Sequence, residues 1–427
     1  MTEPAFRWPS SVEVTIDSLG QGGAGVGRWQ DRPVFVAGAL PGEHVRTRLV
    51  ERRDGWARGD LVELLSAPAP ERITPPCPVF GTCGGCDWQY HTDQSQRESK
   101  AAILAEQLRH VGRLSDVVVL PTAAAAPWEY RTTARFHIAQ TAIGFYAHGG
   151  REVVELEACP LLDPRINTAL GRLRPLLPLE GLRDVTLRVS STTGQVHALL
   201  DGRGEATWRP WARRWQAADP SISGISSATR NGWIMLAGLP YLEEDMGGVS
   251  LRIAPTSFFQ ANVERARAVL GELQARLTLT PATRLLDAFC GVGTFLLPLA
   301  RQVGQAWGIE EHPAAIGDAE ASAKAQGIAN VTLLTGKVEN LIGDIAAPLD
   351  VVLLDPPRRG IEPLALKALL RQPPAQIAYI SCHPGTLARD VRALVAGGYG
   401  LQLAQPFDFF PQSSHIESLV ILQRSAE

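Results

Sequence analysis

Two β-rich modules followed by a doubly wound α/β sheet are predicted for this 427-residue chain, and three observations carry the prediction. Residues 12–65 read as short alternating runs broken by glycine-rich turns, the pattern of a small β-barrel. Residues 130–255 return to strand-like runs such as ARFHIAQ, DVTLRVSS and GWIMLAG. From about residue 256, apolar strands alternate with helical repeats, which argues a parallel sheet covered by helices. Module boundaries are expected at 1–70, 71–255 and 256–427, in keeping with a length that suits two or three domains.

Composition narrows the class. Hydrophobic residues make up 45% and charged residues 20%, which excludes a disordered or fibrous chain. There is no apolar run of the roughly 20 residues that cross a bilayer, so no membrane partner is expected. The segment MTEPAFRWPS lacks the basic-then-apolar order of a secretory signal. A monomer in the reducing cytoplasm is the expectation. A net charge of −3 excludes a uniformly basic nucleic-acid coat but leaves room for a local patch.

In the first module, Gly20, Gly22, Gly23, Gly25 and Gly27 crowd one stretch. No helical pattern follows them, so they read as a bend or bulge and not as a phosphate loop. Arg46, Arg48, Arg52, Arg53 and Arg58, diluted by Glu51 and Asp54, form either a solvated face or an oligonucleotide-binding surface. APAPERITPPCP at 67–78 reads as a linker. An amphipathic helix is predicted from about Gln94 to residue 112, able to pack on the third module.

In the third module, Gly291, Glu310, Asp355 and Cys382 all fall at the C-terminal ends of predicted strands, where ligands bind in such sheets. LLDAFCGVGTF is a strand, a glycine turn and a helix, but not the GxGxxG of a dinucleotide site. A cofactor without phosphates needs fewer glycines, and S-adenosylmethionine is one. Glu310, nineteen residues after Gly291, can accept both ribose hydroxyls. Cys382 follows the apolar strand QIAYIS and precedes Pro384, where the chain leaves the sheet. A cysteine over a cofactor crevice is a candidate nucleophile. Glu417 begins the last strand after FDFFP.

Of six cysteines, Cys77, Cys83 and Cys86 lie within ten residues, and Cys159 stands in EACPLL. Four thiolates suit either zinc or an iron–sulfur cube. Cys290 is read as shaping the glycine turn.

FFQAN, DAFCGVGTF, LLDPPRRG, SCHPGTLARD, FFPQSSHIES and the cysteine set together resemble the motifs of the RNA uridine-5-methyltransferase family. The resemblance covers nearly the whole chain. It implies a Rossmann-like class I methyltransferase domain, an N-terminal OB-like TRAM barrel and a central β-rich domain carrying a metal cluster. It further implies S-adenosylmethionine as cofactor, contacted by Gln260, Phe289, Gly291, Glu310 and Asp355. It implies a [4Fe-4S] cluster on Cys77, Cys83, Cys86 and Cys159, with Cys382 as nucleophile and Glu417 as base. The partner is then RNA, with 23S ribosomal RNA favoured over tRNA by the TRAM barrel and the cysteines. Three features depart from the family: His383 where Asn is usual, Gln412-Ser413-Ser414 in place of a His-Thr turn, and Lys337 where an acid or amide is common.

The chemistry accounts for the residue types. Uracil C5 is too weak a nucleophile to attack a methyl sulfonium. A thiolate added at C6 delivers negative charge to C5, and a separate base must later remove the C5 proton. The target nucleotide must be looped or flipped out to reach the thiol. An iron–sulfur methylthiotransferase would need a CxxxCxxC triplet, which the sequence lacks. A non-catalytic RNA-binding protein would not need Cys382 and Glu417.

Overall fold

Alternation in SVEVTIDSL buries Val12, Val14 and Ile16 on one face, and that face lines a closed barrel. The structure is a computed structural model that describes residues 7–204, 207–345 and 348–425. Strands β1 (Ser11–Leu19), β2 (Gly25–Trp29), β3 (Arg32–Ala37), β4 (His44–Arg52) and β5 (Ala57–Leu64) close in the order β1-β2-β3-β5-β4. The glycine-rich stretch is the β1–β2 turn, where Gly22 and Gly23 take φ of +90° and +84°, as a bend requires. The arginine cluster is largely charge-balanced. Arg46 bridges Glu13 and Glu63, Arg48 pairs with Asp60, and Arg53 and Arg58 face Glu51. That face has the make-up of a solvated surface.

The linker is pinned, because Arg72 forks onto the buried carboxylate of Glu43 at 2.6 and 2.7 Å. Helix α1 (Asp93–His110) follows and packs its buried Leu104 and Leu108 into the core of the third module.

The central sheet contains β6 (Thr133–Ala139), β7 (Ala142–Tyr146), β8 (Val153–Glu155), β9 (Leu182–Val189), β10 (Val196–Gly202), β11 (Ile222–Thr229) and β12 (Gly232–Gly238). Their order is β12-β11-β10-β9-β6-β7-β8. Helices α2 (Pro164–Leu173) and α3 (Arg209–Ala218) bury Ile166, Leu170, Trp211 and Trp215 against it. Next, β13 (Leu242–Met246) and β14 (Val249–Ile253) form a hairpin. Its Met246, Val249, Leu251 and Ile253 share a core with Val269 and Leu270 of α4 (Val263–Arg276). The hairpin therefore packs with the third module, ahead of the change of period near residue 256.

The third sheet is built from β15 (Arg284–Asp287), β16 (Gln305–Glu310), β17 (Val331–Thr335), β18 (Val351–Leu354), β19 (Gln376–Ser381), β20 (Tyr399–Phe407) and β21 (Glu417–Arg424). Helices α5 (Leu296–Ala300), α6 (Pro313–Ala325), α7 (Val338–Leu341), α8 (Pro363–Arg371) and α9 (Pro384–Ala396) connect it. The order is β17-β16-β15-β18-β19-β21-β20. The first five strands are parallel, as the unbroken apolar run VVLL of β18 requires for a strand buried on both faces. β21 departs from the parallel pattern: it runs antiparallel to both β19 and β20. Among the described residues, no helix is long and apolar enough to cross a membrane.

Candidate active site

The reversed strand builds the site. Ser381 of β19 pairs with Ser418 of β21. Continuing that register by one residue sets Cys382, just past β19, opposite Glu417, the first residue of β21. A strand start thus meets strand ends at the C-terminal edge of the parallel sheet. Both side chains are partly buried. Burial, with the nearby charges of Glu417 and Asp355, pushes the Cys382 thiol up to about 11, and Arg358 opposes the shift. Glu417 is held well above the usual carboxylate range by burial and by Asp355, again opposed by Arg358. Burial also pushes Asp355 up to about 7.

His383 caps α9, its Nδ1 accepting the Thr386 N–H at 3.1 Å. The ring proton therefore sits on Nε2, which lies 2.7 Å from the side-chain amide nitrogen of Gln21. Two N–H donors cannot share that gap, so the Gln21 amide must present its oxygen to the ring. Burial and Arg358 hold His383 below its usual pKa. The ring is neutral and its one acceptor nitrogen is already engaged.

On the cofactor side, Gly291 has φ +54° and open space where a Cβ would stand. Its N–H donates to Glu310 at 3.1 Å, and the other Glu310 oxygen accepts the His312 N–H at 2.8 Å. This fixes the carboxylate at the end of β16. Asp287, 1% exposed, accepts the Phe289 N–H at 3.3 Å. Burial pushes its carboxyl up to about 8, aided by the charges of Asp355 and Glu310. Phe289 lies partly buried against the core. Gln260 lies partly buried, two residues before Asn262, whose side chain caps α4 and also donates to the Phe409 carbonyl. Cys290 is buried beside Gly308, and burial drives its thiol far above its ordinary value, as an inert packing role requires. Lys337 lies 4.0 Å from Glu311 at the end of β17.

Cys77, Cys83, Cys86 and Cys159 line one cavity with Phe80, Phe145 and Leu162. Backbone bonds fix its walls: Gly84 N–H donates to Tyr146 O, and Cys159 N–H donates to the Asn167 side chain. Burial, then the charges of Cys159, Cys83 and Cys77, pushes the Cys86 thiol up to about 12. Among the described residues, no group of three or more His, Cys, Asp or Glu side chains is arranged to hold a metal ion. The expected cluster thus finds a thiol-lined cavity but no assembled ligand set.

The structure gathers Gly291, Glu310, Asp355, Cys382 and Glu417 along one sheet edge. It adds Asp287, Arg358, Asn262 and Gln21, to which the sequence reading assigned no role. Asp287, Arg358 and Asn262 stand inside quoted motifs and were findable there. Gln21 lies 362 residues from its partner, and no local pattern signals such a contact.

Known proteins place this architecture. Residues 247–425 match the family described as tRNA (Uracil-5-)-methyltransferase, and residues 10–62 match the TRAM domain. An RNA methyltransferase of Thermosynechococcus vestitus is 35% identical, covering 97% of this chain and 98% of its own. The 23S rRNA (uracil(1939)-C(5))-methyltransferase RlmD of Alkalilimnicola ehrlichii is 36% identical, covering 97% of each chain. The fold matches the tRNA (uracil-54, C5)-methyltransferase of Pyrococcus abyssi, solved with S-adenosyl-L-homocysteine. That match has a TM-score of 0.77 at 23% identity, over 96% of this chain and 100% of the other. Sequence similarity along almost the entire length, joined to this sheet edge, places the chain in the family of S-adenosylmethionine-dependent RNA (uracil-C5)-methyltransferases.

Proposed function

We propose that this enzyme methylates C5 of a uridine in 23S ribosomal RNA through a covalent adduct with Cys382. The observation that carries the reading is the β19–β21 register, which sets a thiol opposite a carboxyl on the same sheet edge as Gly291 and Glu310. The Cys382 sulfur adds to C6, and the enolate places its charge on C5. Bound S-adenosylmethionine supplies the methyl group as an electrophilic sulfonium. Glu417, as carboxylate, then takes the C5 proton. The C5–H electrons form the C5=C6 double bond, and the C6–S pair returns to sulfur. Gly291 and Phe289 would floor the cofactor pocket, Glu310 would hold the ribose, and Gln260 and Asp355 would face the methyl-donor end. The open space at Gly291 fits a ligand lying against that backbone. The 23S target follows the RlmD relative, and a tRNA uridine is the second reading.

Within the same reading, Cys77, Cys83, Cys86 and Cys159 would hold a [4Fe-4S] cluster. A single zinc needs four sulfurs about 2.3 Å from one centre. Four thiols lining one cavity are compatible with either group, and the family resemblance favours the cube. The cluster's role is structural, tying the linker loop to the central module.

The test divides the chemistry. Cys382→Ala should abolish methylation and leave cofactor binding intact. Glu417→Gln should still permit addition and methyl transfer, so a methylated protein–RNA adduct should accumulate and survive denaturing electrophoresis. An adduct formed by Cys382→Ala would assign the nucleophile elsewhere.

A further inference from the structure

The turn between β20 and β21 makes few bonds of its own, chiefly from the Ser413 N–H and hydroxyl to Phe410 O, and is held mostly from outside. Carbonyls of four consecutive residues accept from other parts of the chain. Phe409 O takes the Asn262 amide, Phe410 O the Lys100 ammonium, Pro411 O the Tyr130 hydroxyl, and Gln412 O the N–H groups of Asp87 and Trp88. Gln412 is buried with φ of +68°, a left-handed conformation that a non-glycine residue keeps only where its surroundings over-determine it. The surroundings do so here. Its N–H donates to Gln96 Oε1 at 2.8 Å, and its side-chain oxygen accepts from Gln96 Nε2 at 3.0 Å. Two residues on, Ser414 donates both its N–H, at 2.8 Å, and its hydroxyl to the two carboxylate oxygens of Asp87. Three residues after Ser414 comes Glu417.

We propose that Asp87 and Gln96 are positioning residues for Glu417. They clamp the Gln412–Ser414 turn so that β21 begins with its carboxyl facing the uracil. The proposal rests on the reading of Glu417 as the base. Neither residue is among those assigned to the substrate or the cofactor. Both act on the last step, proton removal and release of the thiolate. A carboxyl displaced by about 1 Å can lose roughly 100-fold in rate.

The experiment uses the full-length enzyme with two RNAs, one carrying uridine and one 5-fluorouridine at the target. Asp87→Ala should slow turnover roughly 10- to 100-fold and accumulate the methylated adduct on uridine RNA. Its cofactor affinity and its 5-fluorouridine adduct should match wild type, since trapping needs no base. Asp87→Asn should restore turnover, because its oxygen still accepts the Ser414 N–H and its amide can donate to the hydroxyl. Asp87 adjoins Cys86, so Gln96→Met supplies an independent variant on α1 with the same expected signature. Wild-type turnover in both variants overturns the proposal. So does a parallel loss of cofactor affinity and 5-fluorouridine trapping, which marks a general structural defect. If Glu417→Gln itself accumulates no adduct, the reading of Glu417 falls, and the proposal with it. If Glu417→Gln accumulates adduct and the two clamp variants do not, only the proposal falls.

Discussion

Cys382 keeps its proton at neutral pH, because burial and two carboxylates push the thiol up to about 11. If Cys382 adds to the uracil as proposed, it does so as the thiolate, and below that value the rate of addition should rise about tenfold per pH unit. RNA with 5-fluorouridine isolates this step, since fluorine cannot leave as a cation and Glu417 is not needed. Quenched time courses of adduct formation should therefore climb steadily from pH 7 to 9. Arg358 opposes the upward shift at both Cys382 and Glu417. Arg358→Ala should raise the thiol further and slow trapping at pH 7, and the deficit should shrink at high pH. A trapping rate that is flat with pH would remove the thiol from the rate-limiting step. At this scale the sequence was informative about identity and silent about state. Residue types at strand ends marked Cys382, Glu310, Asp355 and Glu417 as candidates, and the fold sets them on one sheet edge. Their protonation depends on desolvation and on neighbours that meet only in the fold.

Among the elements, β21 best separates what is local from what is not. Its apolar run SLVIL is legible as a strand, and Glu417 as its first residue. A strand start should lie at the wrong edge of a parallel sheet, and direction is a tertiary property. Reversal brings Glu417 to the edge where β19 ends. The loop of Cys77, Cys83 and Cys86 makes the opposite case. Their crowding was plain in the sequence, and the fold adds Cys159 across the cavity from near the start of α2. If the four thiols ligate a cube, anaerobically isolated protein should be brown with about four irons per chain. Chelating the iron should bleach it and raise proteolytic cleavage within 77–90, since metal affinity of this kind is also folding energy. Colourless protein with one tightly held zinc would reverse the assignment.

Over the whole molecule, the barrel reaches the candidate site. Its arginine face is balanced by Glu13, Glu51, Asp60 and Glu63, so its clearest link to the chemistry is the β1–β2 turn. Gln21 meets His383 beside Cys382, and Gly23 O accepts the Trp88 indole N–H at 3.0 Å. Leu19 and Leu40 of the barrel share a small apolar cluster with Trp88, Ile103 of α1, and Ile416, the residue before Glu417. Barrel, linker, helix and the turn that leads to Glu417 thus converge on one point. Two adjacent glycines separate docking from backbone strain. Gly22 and Gly23 have φ of +90° and +84°, so alanine at either should cost about 1–2 kcal/mol of stability. A Cβ at Gly22 meets nothing within 4 Å, whereas at Gly23 it would stand 2.5 Å from Ser414 Cβ and 2.7 Å from Trp88 Nε1. Gly22→Ala should therefore lower the thermal midpoint and leave turnover near wild type. Gly23→Ala should lower it at least as far and also slow turnover at least tenfold, with methylated adduct accumulating, because relieving the clash moves Ser414 or the barrel. Equal turnover in the two variants would return the barrel to a remote RNA grip with no part in shaping the catalytic pocket.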